Sequence, residues 1–485
     1  KSAEPAETPS GKRAARNSPG RNKERQPLVK GRVYFADNRS GMTQMNRFVL
    51  SVFLVFLVAS AAFSRDLTNP PEGFVETADV RGELFDDWLS AGISPLMSLA
   101  SDEVTDRFGR VFAVRRERDD ENGLLAVRIQ ARDAAGIQGQ WVLYRSFSDG
   151  LPHEIRLYPL DNSHIWVSLF PGDSGPESGK SRLDLVLYGS TAVSGIPVGV
   201  PLVKLYTASF QDIMLMTRAL VPWDLLDHHV DDYAAARSAV SVIRDRLPSL
   251  VYLDDGAFDH DGRPVHIRDG SPQRPAEVLS ALGPGQTPDN IAGGVNCSGF
   301  AKWIVDGIVF PEAGSRLFLD PLKKQTDSPE THFTEPFRES RDVFFALDWT
   351  RQLASAVVSL GGRGTVLPAE SGVDVTADPF PGFARHVPGV GYRSGALQSL
   401  LYWLAIRESG HMYLAAISRE RGDPPLRQYH HIAVLFPYFD ENGQFTITVF
   451  ESAAETPYPL FVSRNDDAYI HLVRVRCPEK GRFIP

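Results

Sequence analysis

Cys297, His431 and Glu451 are the residues whose types and settings could together carry out nucleophilic chemistry. Cys297 is one of only two cysteines and lies in Gly293-Gly294-Val295-Asn296-Cys297-Ser298-Gly299-Phe300, where a glycine-rich loop turns into an apolar run. The residues Ala301 to Val309 are helix-compatible and carry the chain on from the cysteine, with Pro311 as the expected stop. A cysteine at a helix start meets unpaired backbone N–H groups and the positive end of the helix dipole. Both favour the thiolate, which is the nucleophilic form. Taken alone, the loop equally suits a small buried residue, or half of a disulfide with Cys477.

The elements that must position a partner lie near the C-terminus. Tyr429 to Phe436 reads as a buried strand, Asp440-Glu441-Asn442-Gly443 as a turn, and Gln444 to Ser452 as the returning antiparallel strand. A histidine thus opens one strand and a carboxylate closes the next. That places Glu451 where it could hold the His431 imidazole in one tautomer. Cysteine, histidine and an orienting polar group are the three roles of thiol hydrolysis. Strand neighbours point to opposite faces, so only one of His430 and His431 can aim at the thiol.

These residues resemble the NlpC-type, papain-like cell-wall endopeptidases. Cys297-Ser298-Gly299-Phe300 is similar to the nucleophile motif, His431-Ile432-Ala433-Val434 to the base strand, and Val449-Phe450-Glu451-Ser452 to the strand bearing the third polar residue. The resemblance spans residues 277 to 475. It implies an α+β fold with a helix-borne cysteine packed on an antiparallel sheet. It assigns Cys297 as nucleophile, His431 as base and Glu451 as the orienting group, leaving His430 a partly solvated edge residue. It also implies the peptide stems of peptidoglycan as substrate. The chain differs from the family pattern at Asn296, usually aspartate, and at Glu451, commonly histidine, and no aromatic-glycine-glycine segment precedes Cys297. The 134 positions between Cys297 and His431 imply an insertion, placed at 311–395 by its prolines.

At 485 residues and 42% hydrophobic content, the chain can bury a large core and is expected to hold more than one domain. Residues 1–41 contain ten Lys/Arg against four Asp/Glu and almost no apolar periodicity, which reads as a disordered or upstream segment. Residues 42–64 have a short charged start, an apolar core and small residues at the end, the layout of a secretory signal peptide. Residues 66–220 carry short strand candidates between Asp, Gly or Pro turns and are read as an all-β sandwich- or barrel-like domain. Residues 221–485 are read as the catalytic domain, with a helix over Asp232–Tyr252, a hairpin at 258–267 and a helix near 348–360.

Without residues 1–47, which hold 11 basic and 4 acidic residues, the chain keeps 40 basic and 56 acidic residues, a net charge of −16. So acidic a chain is a poor nucleic-acid binder, and nothing points to a stable membrane anchor once a leader is cleaved. The localisation expected is periplasmic or extracellular. No phosphate-binding glycine loop or paired metal-ligand motif implies a cofactor. Asp254, Asp255, Asp259 and Asp261 lack EF-hand spacing and read as turn chemistry rather than a calcium site. Trp141, Trp166 and Tyr188 suit either a sugar-stacking platform or an ordinary core. Two other function classes fit the same residues: an amidase or acyltransferase on another substrate, and a non-catalytic envelope-binding protein.

Overall fold

The computed structural model describes residues 69–326, 343–362, 364–380, 383–423 and 425–485. The expected leader and its cleavage points lie outside them. Among the described residues no helix is long and apolar enough to cross a membrane. Ser64–Pro485 forms one compact unit, whose main hydrophobic core runs from Val80 to Phe483.

The protein is α+β, with two large antiparallel sheets. The first holds β1 (Asp102–Thr105), β2 (Val111–Asp119), β3 (Leu124–Ala131), β4 (Trp141–Ser146), β5 (Pro152–Leu157), β6 (Ile165–Phe170), β7 (Arg182–Leu187) and β8 (Ser190–Pro197), paired in strict chain order. The strands of the expected sandwich- or barrel-like domain thus form one continuous meander rather than two sheets, and among the described residues β1 and β8 do not pair. Regular strand and turn spacing fixes which strands are neighbours but not whether the ribbon folds back on itself. One face, including Val127, Trp141, Ile155, Val167 and Leu185, enters the main core. Trp141 is fully buried there, Trp166 faces the other way, and Tyr188 packs against Tyr402 and Phe445 of the C-terminal half. The three aromatics do not form one platform.

The second sheet has the order β13-β18-β14-β15-β16-β17, comprising β13 (Tyr392–Arg393), β14 (His411–Arg421), β15 (Leu426–Phe439), β16 (Phe445–Glu451), β17 (Ala454–Thr456) and β18 (Tyr469–Arg476). β14 and the second half of β15 are runs of consecutive buried residues, as expected of strands covered on both faces. Among the described residues the helices of seven or more residues are α1 (Phe210–Thr217), α2 (Ala234–Arg246), α3 (Cys297–Ala313), α4 (Phe345–Leu360), α5 (Leu397–Arg407) and α6 (Tyr458–Arg464). Four of them, α2 to α5, pack on β15. α2 is shorter than expected because its apolar spacing ends at Ile243. The chain then enters the short strand β9 (Leu250–Tyr252).

One further expectation is corrected. Pro311 does not stop α3, which continues to Ala313 and ends at Gly314 in the left-handed region (φ 73°). Proline removes one hydrogen bond near a helix end, whereas a left-handed glycine closes it. α4 lies inside the expected insertion and packs on α3, β14, β15 and β18, its buried Trp349 indole donating to the Ser298 carbonyl at 3.0 Å.

Candidate active site

Cys297 is the first residue of α3. Asn296 caps the helix, its side chain accepting the Gly299 N–H at 2.8 Å. The loop before it forms β12 (Gly293–Val295), which pairs in parallel with β9, so that Val295 lies beside Tyr252. The Asn296 N–H donates to the Gly256 carbonyl at 3.0 Å, tying the helix start to β10 (Gly256–Phe258). At Gly299 the helix approaches β10 so closely that a Cβ would lie 2.0 Å from the Gly256 oxygen. The Cys-Ser-Gly motif thus has a local cause. Its glycine permits the close contact that presents the cysteine at the helix end.

His431 lies beside a bulge. Ile417 pairs with His431 and Ser418 with Tyr429, which leaves His430 as the extra residue of β15. His430 is exposed, while His431 is half-buried and donates from Nε2 to Glu451 Oε2 at 2.7 Å. Nδ1 is the ring nitrogen that Glu451 leaves free, and His431 and Cys297 are close enough that each shifts the other's ionisation.

Glu451 is buried and held from two further directions. Thr456 Oγ1 donates to Oε1 at 2.6 Å, and Arg464 of α6 forms an ion pair with the same oxygen. The two-residue turn that places Thr456 there, Ser452-Ala453, has φ values of 50° and 63° on non-glycine residues. Two positive φ values match the primed hairpin turn, which bends β17 tightly back on β16.

The charges of the three groups follow from this packing. Burial alone would raise the Cys297 thiol, but hydrogen bonding and charge from His431, the Ile432 N–H and Ser298 together bring it below the ordinary range. Burial would lower His431, yet its contacts with Cys297 and Glu451 push it up to about 9. Burial opposes ionisation of Glu451 as well, and the bonds from His431, Thr456 and Arg464 outweigh it, holding the carboxyl at about 2. Near neutral pH His431 is an imidazolium and Glu451 a carboxylate, and the same contacts shift Cys297 toward its thiolate form. Cys477, also a free thiol, is buried in apolar surroundings and pushed up to about 12.

The three residues singled out in the sequence are therefore brought together, and the two cysteines do not pair. Four contributors were not found from the sequence. Thr456 and Arg464 hold Glu451. Tyr252 lies near enough that, after burial and Asp254, the charge of Cys297 helps to raise its phenol. Asp255, with φ 61°, borders a cavity of about 550 Å³ together with Asp254, His266, Arg268 and Asn296, the residue before Cys297. The acidic turn itself is occupied by protein: Asp259 and Asp261 both pair with Arg263.

Residues 70–225 match a domain of unknown function, DUF8515. That segment covers the first sheet and contains none of the site residues. No curated protein and no solved structure matches the chain.

Proposed function

We propose that the chain is a secreted cysteine hydrolase of the papain-like, NlpC type that cleaves amide bonds in peptidoglycan stem peptides. The observation that carries this reading is His431, bound to Glu451 at 2.7 Å and electrostatically coupled to a cysteine that opens a helix. A thiolate paired with imidazolium is poised for acyl transfer at neutral pH.

In the proposed reaction the Cys297 sulfur attacks the amide carbonyl. The Cys297 backbone N–H, which has no partner within the helix, stabilises the oxyanion. Tyr252, lying beside it, supplies the second donor. His431 gives its Nδ1 proton to the departing amine as the C–N bond breaks, leaving a thioester. It then takes a proton from water as the water oxygen attacks. Collapse of the second intermediate breaks the C–S bond, releases the acid and restores the ion pair. Glu451 stays ionised throughout and fixes the ring. The cavity beside Asn296 offers two carboxylates and a guanidinium, which suits a substrate bearing charged peptide groups. The leader-like residues 42–64 support action outside the cytoplasm.

The test is release of soluble peptide fragments from purified peptidoglycan. Wild-type activity that disappears in Cys297→Ala and nearly so in His431→Ala, but survives His430→Ala, supports the reading. Hydrolysis only of other peptide amides or esters would keep the chemistry and replace the substrate. Inactivity on all of them would leave an envelope-binding protein.

A further inference from the structure

The face of the first sheet turned away from the main core is organised differently from an ordinary solvated face. Trp166 Nε1 donates to Ser168 Oγ at 3.0 Å, and Ser168 donates to Glu154 Oε1 at 2.5 Å. Glu154 then receives both prongs of Arg156, Nε at 3.1 Å and Nη2 at 3.0 Å. The Arg156 guanidinium is stacked near two rings, 5.0 Å from that of Tyr144 and 4.9 Å from that of Trp166. Beneath these side chains lies a second apolar cluster, Ala126, Val142 and Tyr158, separate from the main core. Glu154 and Ser168 are buried although they lie on the outward face.

Surface ion pairs contribute little to stability, because ordering long side chains offsets most of the attraction. A connected network with an arginine fixed between aromatics is instead what a preorganised binding surface requires. Beside it opens a cavity of about 900 Å³, whose lining includes Asp119, Asn122, Tyr144, Ser146, His153 and Glu154. That volume falls within the ordinary range for small-molecule sites, about 300–1,000 Å³.

The lining chemistry narrows the ligand. Two carboxylates against one guanidinium give no excess of positive charge for a phosphate-rich polymer. Polar groups interrupt the aromatics, so the cavity does not offer the continuous apolar groove that an amphipathic helix needs. A neutral molecule with hydroxyl groups at its edge and C–H groups on its faces matches both sets of side chains. We infer that this outward face is an oligosaccharide-binding site, with Tyr144 as the stacking ring and Glu154, Asn122 and Ser146 as hydroxyl partners. All of these residues lie in the segment matching the domain family, far in sequence from Cys297, so the inference is independent of the thiol chemistry.

The test is titration of the full chain with a panel of soluble oligosaccharides, built of hexoses or of N-acetylhexosamines, read by Trp fluorescence and calorimetry. Saturable binding to at least one member is expected. Tyr144→Ala should weaken it about tenfold, whereas Tyr144→Phe, which keeps the ring, should stay within about threefold. Asn122→Ala lies on the cavity rim outside the network and should also weaken binding, which keeps the test informative if the Tyr144→Ala chain melts early. Cys297→Ala should bind unchanged. Absence of saturable binding across the panel, or binding untouched by both Tyr144→Ala and Asn122→Ala, would overturn the site. Binding by a chain without hydrolase activity supports the site while removing the proposed reaction.

Discussion

His431 and Glu451 meet diagonally across the β15–β16 ladder, Nε2 to Oε2 2.7 Å apart. The last paired residues of the ladder are Val434 and Phe450, so Glu451 takes the position facing Ala433, and His431 lies two residues further along the same face. Replacing the carboxylate by an isosteric amide keeps the shape and removes the charge that holds the imidazolium. Glu451→Gln is therefore expected to lower kcat about a hundredfold or more while leaving the circular dichroism spectrum unchanged. An amide variant as active as wild type would mean that His431 needs no orienting charge.

The ionisation of the site sets its pH profile. His431 is raised to about 9, so its proton is retained through neutrality and lost as pH rises through about 9. kcat/KM should accordingly fall on the alkaline side near that value, and the stability contributed by the charged imidazole, full below its ordinary value of about 6.5, should fade in the same window. Glu451 behaves with the opposite sign: its contribution is complete above its unfolded value and lost as pH falls through about 2. A profile with an alkaline limb at the unperturbed histidine value would contradict the ion pair.

The two thiols should differ sharply in reactivity. Cys297 is lowered by its partners and partly exposed, while Cys477 is buried and pushed up to about 12. Iodoacetamide at neutral pH should label Cys297 alone, and Cys477 only after unfolding. Peptide mapping that found equal, slow labelling of both thiols in the native protein would remove the nucleophile assignment.

Much of this site was legible because its signals are local. A glycine-rich loop entering an apolar run located Cys297, and two apolar strands joined by Asp440 to Gly443 located His431 and Glu451. What remained hidden depends on long-range pairing. Tyr252 reaches the nucleophile only because β9 pairs with β12, and Arg464 reaches Glu451 only because α6 follows the Ser452-Ala453 turn. His431 rather than His430 meets Glu451, but strand alternation is only part of the reason, since the bulge at His430 interrupts it. The strands of the first sheet were legible, but not whether they form one sheet or two, because turn spacing carries no information about which face meets which.

Gly299 links the nucleophile motif to the packing beneath it, and this can be tested apart from catalysis. An alanine there would set its Cβ 2.0 Å from the Gly256 oxygen and 2.9 Å from the Ala257 Cα, both backbone atoms that cannot rotate away. The helix start must then move off β10, stretching the Asn296 to Gly256 hydrogen bond that fixes the cysteine. Overpacking of this kind costs about 1–3 kcal/mol. Gly299→Ala is therefore expected to lower Tm by several degrees and to slow Cys297 alkylation along with any activity. Gly82→Ala serves as the control, because a Cβ at Gly82 meets nothing within 4 Å and its helical setting favours alanine. If both variants melt with wild type and Cys297 alkylates at the wild-type rate, the glycine is not what positions the thiol.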